Sequence, residues 1–62
     1  MAFTAVDEFR SMVSCARTLH RIAMEYAEEG NTDQSEEYHD KAAWWLKRAR
    51  DYRAFMRRKE AA

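Results

Sequence analysis

The chain has 62 residues, with 11 Lys+Arg balanced by 11 Asp+Glu, no proline, one glycine and one cysteine. Chains that turn often need proline and glycine, so sandwiches, barrels and α/β folds are excluded, leaving an all-α fold with one main turn. A core this small seldom supplies more than about 3–5 kcal/mol unaided, and a lone cysteine with no Cys/His cluster offers neither an intrachain disulfide nor a zinc site, which points to oligomerisation or a partner. No apolar run approaches the ~18 residues of a membrane span, and no signal peptide follows Met1, so the expected location is cytoplasmic.

The first periodic segment runs from about residue 5 to 29. Its apolar seam is Ala5, Phe9, Met12, Ala16, Leu19, Ala23 and Tyr26, spaced alternately by four and three as in a heptad repeat. Thr4, with Asp7 three residues on, suits an N-cap, and Gly30 stands where a left-handed residue closes a helix. A turn is expected over residues 30–32. The second segment runs to about residue 59, opened by Asp33 with Glu36 at the capping-box distance. Its seam is Tyr38, Ala42, Trp45, Ala49, Tyr52 and Met56. At ~1.5 Å per residue each helix spans about 35–40 Å.

The register follows from the numbering. If the chain reverses at Gly30-Asn31-Thr32, facing residues have position numbers with a nearly constant sum. Tyr26/Tyr38, Leu19/Trp45 and Met12/Tyr52 each sum to 64, while Ala23/Ala42, Ala16/Ala49 and Phe9/Met56 each sum to 65. Alanine meets alanine and bulk meets bulk, which lets the backbones approach closely. The expected architecture is an antiparallel two-helix hairpin, a single unit over residues 1–62.

Apolar residues continue past both edges of this seam. One edge carries Cys15, Ile22, Trp44 and Phe55; the other carries Val6, Val13, Met24 and Leu46. A two-layer hairpin cannot cover them all, and exposed apolar area containing aromatics marks an interface, although long neighbours such as Arg48 and Arg53 could fold over part of it. A homodimer is therefore expected, two hairpins packed antiparallel as a four-helix bundle through the Cys15, Ile22, Trp44 and Phe55 edge.

Charge is segregated. Residues 22–40 hold seven acids, including Glu25, Glu28, Glu29, Glu36 and Glu37, and no Lys or Arg; residues 41–62 hold eight bases, including Arg50, Arg53, Arg57 and Arg58, and two acids. Five like-charge i,i+4 pairs oppose three favourable ones, Arg21/Glu25, Glu37/Lys41 and Lys47/Asp51, each like pair costing ~0.2–0.5 kcal/mol in an isolated helix. Charge placed against local stability suggests that another molecule supplies the counter-charge. The plainer alternative is a solvated charged surface.

Nothing in the sequence reads as catalytic, and no cofactor or metal is expected. Cys15 and His20 diverge by about 140° around a helix, so no nucleophile–base pair forms. His20 and His39 share an edge but sum to 59, more than a turn out of register, and read as wet edge residues rather than a metal pair. The acidic tip lacks the spacing and central glycine of a calcium loop, and one glycine cannot build a phosphate loop. Nucleic-acid binding has some support: Lys47, Arg50, Arg53, Arg57, Arg58 and Lys59 could track phosphates with Trp44 or Phe55 nearby to stack. Against it stand a pI of about 6.7 and an acidic tip that repels phosphate.

Residues 16–49 resemble one tetratricopeptide-type helical pair. Leu19, Ile22, Ala23, Tyr26, Gly30 and Ala42 fall at compatible spacings and Ser35 at a usual small-residue site, while His39 and Lys47 depart from its aromatic and proline positions. No second repeat follows. In length and alanine layering the whole chain is similar to the Rop-type hairpins, which dimerise into four-helix bundles and bind RNA; no residue-level RNA motif carries over. In overall style it also resembles the small helical accessory proteins of temperate, lambdoid phage early regions. That resemblance implies a non-enzymatic regulator, an adaptor modulating host or phage regulation through protein contacts. A Rop-like RNA- or DNA-binding bundle is the alternative.

Overall fold

A computed structural model describes residues 4–61. Two α-helices, α1 (Ala5–Glu28) and α2 (Thr32–Ala61), pack against each other as a hairpin. The molecule is a flat rod of 49 × 25 × 10 Å. Among the described residues there is no strand.

Local chemistry explains each helix end. Thr4 is extended (φ −85°, ψ 164°) and forms a capping box: the Asp7 amide donates to Thr4 Oγ1 at 3.1 Å and the Thr4 amide donates to Asp7 Oδ2 at 3.3 Å. Hydrogen bonding from the Thr4 side chain, then from its amide, holds the Asp7 carboxyl below its ordinary value, since hydrogen bonds to the charged form favour it. At the other end Gly30 takes φ +81°. Its amide donates to the Ala27 carbonyl and that of Asn31 to the Tyr26 carbonyl, at 3.0 and 2.9 Å. This pair of bonds is a Schellman closure, in the place expected for Gly30.

The start of α2 corrects the sequence expectation. The cap is Asn31, whose Oδ1 accepts from the Gln34 amide at 3.4 Å, and Asp33 lies inside the helix. Both are good capping residues; because Gly30 completes the reversal in one residue, the nearer of the two is already positioned to cap. With the cap at Asn31 in place of Asp33, the helix begins at Thr32, two residues earlier, and runs to Ala61, two residues further.

Burial follows the seam. Ala16, Ala23, Ala42 and Ala49 are the buried apolar residues, and Phe9, Met12, Leu19, Tyr26, Tyr38, Trp45, Tyr52 and Met56 are half-buried. Tyr26 and Tyr38 stack with ring centroids 5.5 Å apart and planes at 25°, the first bulky layer of the expected register. Ser35, at 7 % exposure, is buried as well. It sits one heptad step before Tyr38, and its number sums with Gly30 to 65, so the row of small layers continues into the turn. Alanine layers bring the backbones together, and two helices alone cannot then enclose the bulky residues between them. No large side chain is fully buried.

Candidate interface

The heptad positions beside the seam set two edges along the hairpin. On the first, Cys15 is a free, exposed thiol, Ile22 is half-buried, and Trp44 and Phe55 are 54 % and 53 % exposed. Trp44 meets Trp45 edge-on, ring centroids 5.0 Å apart. Arg48, one turn along α2, lays its guanidinium over the Trp44 ring at 5.0 Å. Covering by a long neighbour therefore occurs at Trp44, but it leaves more than half of that ring in water. A shallow recess beside it is lined by Cys15, Thr18, Leu19 and Trp45.

The second edge is apolar in a more scattered way. Val6, Met24 and Leu46 are exposed and Val13 is half-buried. Toward the open end of the hairpin an apolar groove runs between Val6, Phe9, Tyr52, Arg53 and Met56. At the same end of the hairpin the exposed Tyr52 hydroxyl donates to Glu8 Oε2 at 3.0 Å, bridging the helices. Partial desolvation, then the hydrogen bond and charge of Glu8, raise the Tyr52 phenol above its ordinary value.

His20 and His39 also lie on the second edge, and here the structure overturns the expectation that they are too far out of register to meet. Their rings touch in a T-shaped pair, centroids 5.1 Å apart and planes at 76°. The constant-sum rule governs seam residues, whose Cβ atoms point at one another. Edge side chains can swing along the groove, and two imidazole arms close the axial offset of about 8 Å that five to six residues impose. Among the described residues no three of His, Cys, Asp and Glu gather as a metal cage.

The charges fall into two exposed fields at opposite ends. Glu25, Glu28, Glu29, Asp33, Glu36, Glu37 and Asp40 surround the turn, all exposed, and Arg50, Arg53, Arg57, Arg58 and Lys59 crowd the far end of α2, also exposed. Among the described residues one ion pair forms, Lys41 Nζ to Glu37 Oε1 at 3.5 Å, with the Lys41 ammonium also 4.7 Å from the Tyr38 ring centroid. The other favourable pairs in the sequence, Arg21/Glu25 and Lys47/Asp51, are not within ion-pair distance. Among the described residues Glu37 is the one member of either field held in an ion pair.

No family model, no curated protein and no solved structure matches this chain. What it can do is therefore read from its own surface. The exposed edges and charged ends were legible as residue types. The histidine contact and the Glu8–Tyr52 bridge were missed, because His20, His39 and Glu8 lie outside the facing layers. Among the described residues, no helix is long and apolar enough to cross a membrane.

Proposed function

We propose that the chain is a small non-enzymatic adaptor that acts by binding protein, and that it does so as a homodimer. The observation that carries this reading is the first edge: Trp44 and Phe55, both more than half exposed, flank Cys15 and Ile22 on one side of a hairpin that encloses no large side chain. Aromatics bring the largest burial per residue at an interface, and a two-layer fold of this size gains most from covering them.

Charge selects the orientation. A two-fold axis across the helices sets the acidic tip of one copy beside the basic end of its partner, whereas a parallel arrangement places like on like. Exposed ion pairs contribute only ~0–1 kcal/mol each, so they choose orientation more than they hold the dimer. The product is an antiparallel four-helix bundle. The second edge then remains free for a foreign protein. The resemblance to lambdoid phage accessory proteins supports a role for such an adaptor in host or phage regulation.

The second reading is a Rop-like nucleic-acid binder. It is favoured by the cluster Arg50, Arg53, Arg57, Arg58 and Lys59 near the exposed Phe55 ring. A salt titration against generic RNA and duplex DNA separates the two. The adaptor reading expects weak binding at physiological salt. Micromolar affinity that falls steeply as salt rises would displace it in favour of phosphate recognition.

A further inference from the structure

The second edge carries three cross-helix pairs at equivalent heptad positions: Val6 with Arg53, Val13 with Leu46, and His20 with His39, each summing to 59. In the third, two imidazoles from different helices stand in contact at 5.1 Å, both exposed. Among the described residues neither ring engages another side chain in a hydrogen bond. We propose that His20 and His39 form a two-imidazole site for a divalent transition-metal ion, copper(II) ahead of nickel(II) and zinc(II).

The ring geometry fits. An imidazole nitrogen binds such an ion at about 2.0–2.1 Å with its ring centre about 1.1 Å behind it, so two cis imidazoles have centroids ~4.5 Å apart at 90° and ~5.2 Å apart at a tetrahedral angle. The observed 5.1 Å lies in that range. The interplanar angle of 76° is no obstacle, since each ring can rotate about its metal–nitrogen bond without altering the coordination.

The surroundings favour a cation. His39 lies within, and His20 just before, the stretch of residues 22–40, which holds seven acids and no Lys or Arg, while Arg17 and Arg21 stand near His20 on α1. On α2, Asp40 is adjacent to His39 and Glu36 lies one turn before it, both exposed. On the α2 side these acids raise the local concentration of a divalent ion. Because no third His, Cys, Asp or Glu joins the cluster, the other coordination positions face water. The site is thus an open clip between two helices, and the order of metals follows the general preference of nitrogen ligands. It lies on the edge away from Cys15, Trp44 and Phe55, so it does not depend on the adaptor reading.

The experiment titrates the purified chain with copper(II) chloride in a non-coordinating buffer, followed by calorimetry and by electron paramagnetic resonance. The variants are His20→Ala, His39→Ala and the double substitution, with circular dichroism to confirm helix content. The parent should bind one copper per chain with two nitrogen ligands, and its Tm should rise with copper. Either single variant should bind about 100-fold more weakly, because a second ligand held in place acts at a high effective concentration. Either of two results would overturn the site. One is a folded single variant that keeps the parent's affinity, or a parent that binds no tighter than the double variant. The other is half a copper per chain, which would assign the ligands to two molecules.

Discussion

Ala16 and Ala49 face each other across the seam, each 2 % exposed, in a layer where only a methyl group fits between two backbones. Replacing either by leucine puts an isobutyl group into that space, and the helices must separate to admit it. Overpacking of this kind costs ~1–3 kcal/mol. Total stability for a chain of this length is only about 3–9 kcal/mol at the usual value per residue. For small domains ~1 kcal/mol moves Tm by about 4–8 °C, so a fall of roughly 5–20 °C is expected. Ala54 is the control: it is exposed on the outer face of α2, and leucine is nearly as good a helix former as alanine, so Ala54→Leu should change stability by no more than about 0.5 kcal/mol. The assay is thermal unfolding followed by circular dichroism at 222 nm, with all proteins at one concentration because an oligomer's Tm depends on it. Equal tolerance at positions 16, 49 and 54 would refute the layered register.

Three further outcomes follow from single groups. Gly30→Ala meets no atom within 4 Å of the added Cβ, so its cost is the backbone strain of φ +81° alone, about 1–2 kcal/mol in chemical denaturation. Asn31→Ala should cost about 1 kcal/mol by removing the cap of α2, and Asp33→Ala should cost less; the reverse order in the same assay would restore Asp33 as the cap. The Tyr52 phenol is raised above 10.0 in the folded chain, so its contribution to stability is complete below the unfolded value and is lost as pH rises through the folded one. Ultraviolet titration should therefore show a late-ionising phenol that disappears in Tyr52→Phe and ionises earlier in Glu8→Gln.

The hairpin was legible because the signals that specify it are local and periodic. A four–three apolar repeat fixes which face of each helix is buried, one glycine fixes where the chain reverses, and these together fix the register that Tyr26/Tyr38 and the buried alanines display. The cap of α2 was misassigned to Asp33 because two capping residues stand two positions apart, and the choice between them rests on how tightly Gly30 turns. The contacts of His20 with His39 and of Glu8 with Tyr52 were illegible for another reason. They depend on rotamers at the wet edge, where position numbers bound an axial offset but do not say which way a side chain swings. The exposed edge of Cys15, Ile22, Trp44 and Phe55 was legible as a surplus of apolar residues; its covering in the proposed dimer would be a property of a second molecule, which one chain's pattern does not encode.

That covering is best measured by sedimentation equilibrium of the parent chain beside Trp44→Glu and Phe55→Glu, from low to high micromolar concentration. The account predicts a reversible dimer for the parent. Each glutamate, desolvated against an apolar partner surface, should shift it toward monomer while helix content at high concentration is retained. A parent that stays monomeric and well folded at high micromolar concentration would contradict the bundle and leave the Trp44–Phe55 edge free for a foreign partner.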